Sequence, residues 1–181
     1  MGYRKWEIAN VGGLSLLPSK GIDLSFDTSL YCMNLEAIQM AKNLGANRIT
    51  LPVEDNAENM AEVSTHSDLS TVAIAYQDIP LFTSANCIKN KCSHCTKEAC
   101  TLPLQKGHDL YSAHIKDCNL TLISNKTFYM GKLRNKIPAD FYRIDFINRF
   151  YSSEQVADLV SKIMSGTNIP MTHSGNLKKN I

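Results

Sequence analysis

The sequence lacks the short motifs that assign many enzymes to a class. Its 181 residues contain no Gly-x-Ser-x-Gly, no His-Glu-x-x-His and no Walker lysine motif. A serine hydrolase of the nucleophile-elbow type, a zinc protease and a P-loop nucleotide-binding protein would each carry one of these signatures. The chemistry of this chain must therefore be sought in other residues.

The chain also lacks an apolar segment that would direct it to a membrane or out of the cell. It opens Met-Gly-Tyr-Arg-Lys-Trp, without the apolar region of a secretory signal. No apolar run approaches the ~18 residues of a transmembrane helix. We therefore expect a cytoplasmic protein with no membrane span. The net charge of +2 neither requires nor excludes nucleic acid as a partner.

What the chain does have is a cluster of cysteines on a polar stretch. Four of its six cysteines fall within fourteen residues, and a fifth follows eighteen residues later; the five are Cys87, Cys92, Cys95, Cys100 and Cys118. A structural cysteine normally lies among hydrophobic residues, whereas lysines and small polar residues surround these sulfurs. In a reducing compartment such thiols are more often metal ligands than disulfide partners. The cluster therefore predicts a metal or iron–sulfur site.

The spacing of the cysteines leaves the kind of metal open. Only Cys92 and Cys95 form a Cys-x2-Cys pair, whereas a zinc ribbon typically has two such pairs. A [4Fe–4S] cluster also takes four thiolates, and we expect it to tolerate irregular spacing. By contrast, Cys32 lies among Leu30, Tyr31 and Met33, which predicts a packed core thiol.

Strands and amphipathic helices alternate along the first part of the chain, which predicts βα units and a parallel sheet. Strands are expected over residues 5–11, 22–28, 48–53, 71–76, 120–124 and 141–147, and helices over 35–44, 57–64 and after Ser152. Asn34, Asn56 and a Ser152–Gln155 capping box mark the helix starts. The predicted domain has βα units over residues 1–76, a cysteine-rich loop over 77–118, closing strands and a helix over 119–166, and a tail over 167–181.

The predicted fold is α/β, with a partial (β/α) barrel-like parallel sheet and a long cysteine-rich loop insertion. A complete barrel of eight units needs ~250 residues, and at least 200. The chain is therefore expected to form an open sheet or one portion of a barrel. A second chain or a missing N-terminal segment would then complete it.

Charged residues near the ends of predicted strands are candidates for a site. Arg143 and Asp145 share a face of the strand over residues 141–147, because side chains alternate along a strand. Asp27 and the pair Glu54-Asp55 stand where other strands end, and sites in β/α barrels lie at the carboxyl ends of the strands. Arg143 and Asp145 are expected either to line a site or to form an internal ion pair.

Several segments, taken in order, resemble the U32 family of collagenase-like peptidases. These are Gly-Leu-Ser-Leu-Leu at 13–17, Asp-Thr-Ser-Leu-Tyr-Cys-Met-Asn at 27–34, Leu-Gly-Ala-Asn-Arg-Ile-Thr-Leu-Pro-Val-Glu at 44–54, Pro-Leu-Phe-Thr-Ser at 80–84, the cysteine cluster, Asp-Cys at 117–118, Ile-Ser-Asn at 123–125 and Tyr-Arg-Ile-Asp at 142–145. The chain departs from the family's usual cysteine signature, since no glycine lies between Cys87 and Cys92. It also has five cysteines for four ligand positions.

The resemblance implies a barrel-like fold and four cysteines that hold a [4Fe–4S] cluster. It also implies oxygen-independent hydroxylation of RNA or of a quinone precursor, with Glu54, Arg143 and Asp145 near the reaction site. The alternatives are a peptidase, as the family name indicates, and a non-enzymatic zinc-binding module. Such a module would contact RNA through lysines of the cysteine segment, namely Lys89, Lys91, Lys97 and Lys106.

Overall fold

The fold is taken from a computed structural model that describes residues 3–18, 20–85 and 98–179. The described strands and α-helices are, in chain order, β1 (Lys5–Ile8), β2 (Asp23–Phe26), α1 (Leu35–Asn43), β3 (Arg48–Thr50), α2 (Ala57–His66), β4 (Ser70–Gln77), β5 (Pro80–Ser84), β6 (Cys100–Lys106), β7 (Asp109–Lys116), β8 (Asn119–Ser124), β9 (Thr127–Tyr129), β10 (Phe141–Ile144), α3 (Ser153–Ser165) and β11 (Thr172–His173). None of the described helices is long and apolar enough to cross a membrane.

The larger of the two sheets has seven strands and is mostly parallel. Strands β1, β2, β3 and β4 are parallel neighbours in that order. Strand β10 pairs parallel with β4 along the edge opposite β3, because Val72 has a partner in both strands. Strand β9 runs antiparallel to the end of β4, and β11 pairs parallel with β9. The described sheet is not closed into a barrel, and the predicted α/β class with a parallel sheet is confirmed.

Helices α1 and α2 cover one face of this sheet, and their boundaries follow local signals in the sequence. The Asn34 side chain accepts a hydrogen bond from the Ala37 amide, and Asn56 accepts one from the Asn59 amide, as expected for N-caps. Gly45 has a φ of +93° after α1, which is costly for any other residue. One apolar cluster joins both helices to the strands; it includes Ile8, Leu24, Phe26, Ile38, Ile49, Met60, Val63 and Ala73.

Helix α3 begins at the predicted capping box. The Ser152 hydroxyl oxygen accepts a hydrogen bond from the Gln155 amide, and the Gln155 side chain accepts one from the Ser152 amide. The helix ends at Gly166, which adopts the left-handed conformation. Both predicted ends of this helix are confirmed.

Replacing Ser152 with alanine should lower the free energy of unfolding by about 1 kcal/mol, because one amide of the first turn loses its acceptor. Urea unfolding followed by circular dichroism measures this loss. The neighbouring Ser153→Ala variant is the control, since Ser153 is exposed and is not the capping residue. Equal losses in the two variants would show that the cap does not fix this helix.

The prediction of a loop throughout residues 77–118 was wrong for the part of it that the structure describes. Strands β5, β6 and β7 lie within this range and join β8 in a second, antiparallel sheet with the order β5-β8-β7-β6. The predicted strand over residues 120–124 exists, but it belongs to this second sheet. Backbone pairing stabilises these strands even though β5 and most of β6 are exposed to solvent.

Other short elements also differ from the prediction. The strand expected over residues 5–11 ends at Ile8, and a 3₁₀ helix follows at Val11–Leu16. Strands β9 and β11 were not predicted, and β11 lies in the segment expected to be a tail. Strands of two or three residues show no periodicity by which a sequence pattern identifies them.

Candidate functional site

The face of the parallel sheet opposite α1 and α2 is polar and concave. Along each strand, the residues that point to this face alternate with the apolar residues that pack on the helices. The residues on this face include Glu7, Ser25, Thr50 and Arg143. These side chains line a cavity of about 370 Å³. The concave face is therefore the polar face of the larger sheet.

A contact between two distant strands shows that the sheet is curved. Arg143 Nη1 on β10 donates to Glu7 Oε1 on β1 at 2.9 Å. Strands β1 and β10 are the outermost of the five parallel neighbours β1, β2, β3, β4 and β10. Their side chains meet because the sheet curls toward its concave face, as the wall of a partial barrel would.

Arg143 is the centre of an ion-pair network on this face. Its Nη1 also donates to Asp27 Oδ1 at 3.0 Å, and its Nε lies 3.0 Å from Asp145 Oδ2. The side chains of Arg143 and Asp27 are each 22% exposed, and that of Asp145 is 15% exposed. These three charged groups are thus largely shielded from solvent, whereas the Glu7 side chain is 47% exposed.

Burial and charge act in opposite directions on this arginine. Burial alone lowers the pKa of the Arg143 guanidinium, but the carboxylates of Asp145, Asp27 and Glu7 outweigh it and raise the pKa above its usual value. Arg143 therefore remains a cation held by three carboxylates. The expected internal ion pair between Arg143 and Asp145 is present, and Arg143 also lines the cavity of the concave face.

A second arginine, Arg48 at the start of β3, lies on the same face. The Arg48 guanidinium carbon lies 5.1 Å from the centre of the Phe141 ring, and Arg48 Nη2 is 3.9 Å from Asp23 Oδ2. Arg48 is thus paired more loosely than Arg143. Its charge remains partly available to a ligand in the cavity that it helps to line.

The predicted site residues are only partly brought together. Asp27 joins Arg143 and Asp145, whereas the Glu54 side chain is exposed and its backbone carbonyl accepts a hydrogen bond from Asn176. Among the described residues no hydrogen bond or ion pair links Glu54 to that network. Sequence reasoning missed Glu7, although an acidic residue that alternates with apolar neighbours on a predicted strand is a usable signal.

The cysteines fall into three groups. Cys32 is 4% exposed, and burial raises the pKa of its thiol, as expected for a packed core residue. Cys100 begins β6 and Cys118 lies in the turn between β7 and β8. Both are half-buried free thiols that pack against the cluster of Ala113, Ile115 and Leu120. The predicted ligands Cys87, Cys92 and Cys95 lie outside the described residues.

Cys100 and Cys118 lie at the same end of the second sheet. The described chain stops before the cysteine segment, and resumes after it, at this end. The strand register sets Ser84 beside Leu120, Leu120 beside Ile115 and Ile115 beside Cys100. The described chain stops at residue 85 and resumes at residue 98, so it leaves and returns at this end. No group of three or more possible metal ligands occurs within residues 3–18, 20–85 and 98–179.

Comparison with known proteins gives one family. The sequence model of Peptidase family U32 matches residues 2–139, which is most of the chain. The matched region includes Glu7, Asp27, Glu54 and all six cysteines, and it ends before Arg143 and Asp145. No curated protein and no solved structure matches the chain.

Proposed function

Since the chain belongs to peptidase family U32, we propose that it holds a [4Fe–4S] cluster and acts in oxygen-independent hydroxylation of RNA or a quinone precursor. The observation that carries this proposal is the pair of half-buried free thiols at one end of the second sheet. The segment with the other three candidate cysteines departs from and returns to that same end.

The surroundings of Cys100 and Cys118 suit a cluster of this kind. Their apolar contacts with Ala113, Ile115 and Leu120 exclude water from one side of the two sulfurs. Solvent exposure and the hydrophobic shell around a cluster set its reduction potential. We propose that both residues are ligands, so that the one spare cysteine is Cys87, Cys92 or Cys95. When bound by four thiolates, the cluster would supply electrons; an open iron position for an oxygen donor would require that only three of the cysteines bind it.

The concave face is the proposed place for the substrate. It combines the charges of Lys5 and Arg48 with the hydroxyls of Ser25 and Thr50 in a cavity of about 370 Å³. Pockets of this size bind small molecules or a single base. Arg143 and Asp145 would position a polar substrate group at the edge of this face. Glu54 stays a prediction from the sequence, and so does a second chain or an N-terminal segment that completes the barrel.

Anaerobic purification followed by iron and acid-labile sulfide assays tests the proposed cluster. We expect roughly four irons and four sulfides per chain, with a broad absorption shoulder near ~400 nm. Cys100→Ser and Cys118→Ser should each lose most of the iron, because each removes a ligand. Cys32→Ala is the matched control and should keep it, since Cys32 belongs to the core of the larger sheet.

Two results would contradict the proposal. Zinc at about one per chain without sulfide would replace the cluster with a structural zinc site. Full iron content in the Cys118→Ser variant would remove Cys118 from the ligand set. If the cluster is present, anaerobic assays for RNA and quinone-precursor hydroxylation then separate the two substrates, and cleavage of a peptide substrate would favour the peptidase alternative instead.

A further inference from the structure

A large groove shares no lining residue with the cavity of the concave face, and neither Cys100 nor Cys118 lines it. It has a volume of about 1000 Å³ and is bounded by the 3₁₀ helix Gly131–Lys136, the turn after α3, and the segment from β11 to Lys178. Three lysines line it, namely Lys132, Lys136 and Lys178. No aspartate or glutamate is among its lining residues. We call this cavity, with its neighbour described below, the basic groove.

The basic groove continues into a second cavity of about 510 Å³. The two cavities share Leu133, Lys136 and Lys178, and the second adds Lys179 and a single carboxylate, that of Glu58. All four lysines are exposed, and none of them takes part in an ion pair within the described residues. The four ammonium groups therefore leave the basic groove with an excess of positive charge.

The carbonyl groups at the end of α3 do not cancel this charge. The C-terminal end of a helix carries a partial negative charge on its unpaired carbonyls. Here Arg134 donates to the carbonyls of Ile163 and Met164, and the Tyr129 hydroxyl donates to that of Thr167 at 3.0 Å. These three carbonyls thus already accept hydrogen bonds from donors within the protein.

Neutral donors accompany the lysines. The Nδ1 atom of His173 accepts a hydrogen bond from the Gly175 amide at 3.1 Å, so the proton of the neutral ring is on Nε2. Burial, and secondarily Lys126, lowers the pKa of His173, which keeps the ring neutral at pH 7. The hydroxyl of Ser174 also lines the cavity, whereas that of Ser165 already donates to the Lys162 carbonyl.

We propose that the basic groove binds the phosphate backbone of single-stranded RNA. Lysine ammonium groups with hydroxyl and N–H donors, and almost no carboxylates, are the groups that contact phosphates. Two joined cavities suit successive phosphates of a strand better than one isolated phosphate. The lining offers no exposed phenylalanine, tyrosine or tryptophan ring, since Tyr129 is 7% exposed, so binding should rest on phosphate contacts, which carry no sequence information. The choice of RNA rests on the proposed function, whereas phosphate recognition rests on the groove alone.

Fluorescence anisotropy with a short labelled single-stranded RNA tests this proposal on the whole chain. The association constant K should fall as the salt concentration rises. If four phosphates are contacted, the slope of log K against the logarithm of the salt concentration should be about −3. The triple variant Lys132→Gln, Lys136→Gln, Lys178→Gln should bind roughly 10- to 100-fold more weakly and reduce the magnitude of the slope by about 2.

A second triple variant controls for overall charge. Lys20, Lys42 and Lys116 are exposed lysines outside the basic groove, and their replacement with glutamine removes the same three charges. Equal weakening in both triple variants would overturn the proposal. So would displacement of the RNA by a nucleoside triphosphate at equal phosphate concentration, because that result indicates a nucleotide pocket.

The proposed RNA binding in the basic groove and the proposed cluster can be tested independently. The groove variant should retain the iron content of the unaltered chain, and the Cys118→Ser variant should retain RNA binding. Loss of RNA binding confined to the groove variant supports the groove even if no cluster is found. A chain that holds the cluster but does not bind RNA would overturn the groove and leave the proposed cluster intact.

Discussion

Replacing Arg143 with methionine should lower the free energy of unfolding by about 3 kcal/mol. The substitution keeps a long apolar stem but removes the cation that contacts Glu7, Asp27 and Asp145. Two of these carboxylates are largely shielded from solvent, and removal of one partner from a buried pair costs about 3–5 kcal/mol. The partial exposure of Glu7, at 47%, places the expected loss at the lower end of that range.

Urea unfolding of the variant and of a matched arginine variant measures this effect. Arg48→Met makes the same change on the same face, but its closest carboxylate is 3.9 Å away, so its cost should remain below about 1 kcal/mol. Adding Asp145→Asn to Arg143→Met should cost less than the sum of the two single changes, because the second change removes an unpaired charge. Additive losses would show that the pair is not energetically coupled.

The Arg143 network also decides the shape of the concave face. Its bond to Glu7 joins strands that are four positions apart in the parallel order. Loss of this bond would let the curled edges separate, with the greatest effect on the cavity between them. A ligand bound on this face should therefore dissociate more readily from the Arg143→Met variant than from the unaltered chain.

The parts of the fold that the sequence predicted correctly are those with strong local signals. Helices α1, α2 and α3 have capping residues and apolar periodicity within their own segments. Strand β4 is almost wholly buried, which produces a continuous apolar run. Where one segment contains its own start signal and its own buried face, sequence alone was sufficient.

The second sheet lacked such signals. Strand β6 contains Pro103, which lies opposite Ser112 on an edge strand, where proline is tolerated. Five of its seven residues are exposed, so no apolar alternation is visible. Strands β6, β7 and β8 form by backbone pairing with their immediate neighbours in two hairpins, and β5 pairs with β8, which is distant in sequence.

In the candidate site, too, the sequence predicted contacts between residues close in the chain but not between distant ones. Arg143 and Asp145 are two residues apart, and the period of a strand was enough to place them on one face. Their partners Glu7 and Asp27 are 136 and 116 residues from Arg143 in sequence. No local pattern predicts such a contact, because it depends on how far the whole sheet curls.

The Asp78→Ala variant should be at least as unstable as Arg143→Met, with a loss of about 3–5 kcal/mol. The Asp78 side chain is 3% exposed. It accepts hydrogen bonds from Arg149 Nε at both carboxylate oxygens, at 3.0 and 2.9 Å, and from the Thr127 hydroxyl at 2.8 Å. Removal of the carboxylate leaves the Nε–H of Arg149 and the Thr127 hydroxyl without their acceptor.

Variants of the same network distinguish lost charge from lost packing. Asp78→Asn keeps the size of the side chain and one acceptor oxygen, so it should cost less than Asp78→Ala. Asp68→Ala removes an aspartate whose ion pair with Lys42 is on the surface, and it should leave stability nearly unchanged. Similar unfolding midpoints for the Asp78 and Asp68 variants would mean that the buried pair contributes nothing to stability.

The Asp78 network also fixes how the second sheet attaches to the first. Asp78 directly follows β4, and Arg149 additionally donates to the backbone carbonyls of Ser124 and Asn125 at the end of β8. In the Asp78→Ala variant, hydrogen exchange should therefore accelerate first at this junction and in β9. The pairing of β6 with β7 should remain protected, because it depends on seven backbone partners within its own hairpin. Uniform acceleration across both sheets would instead show that they unfold as one unit.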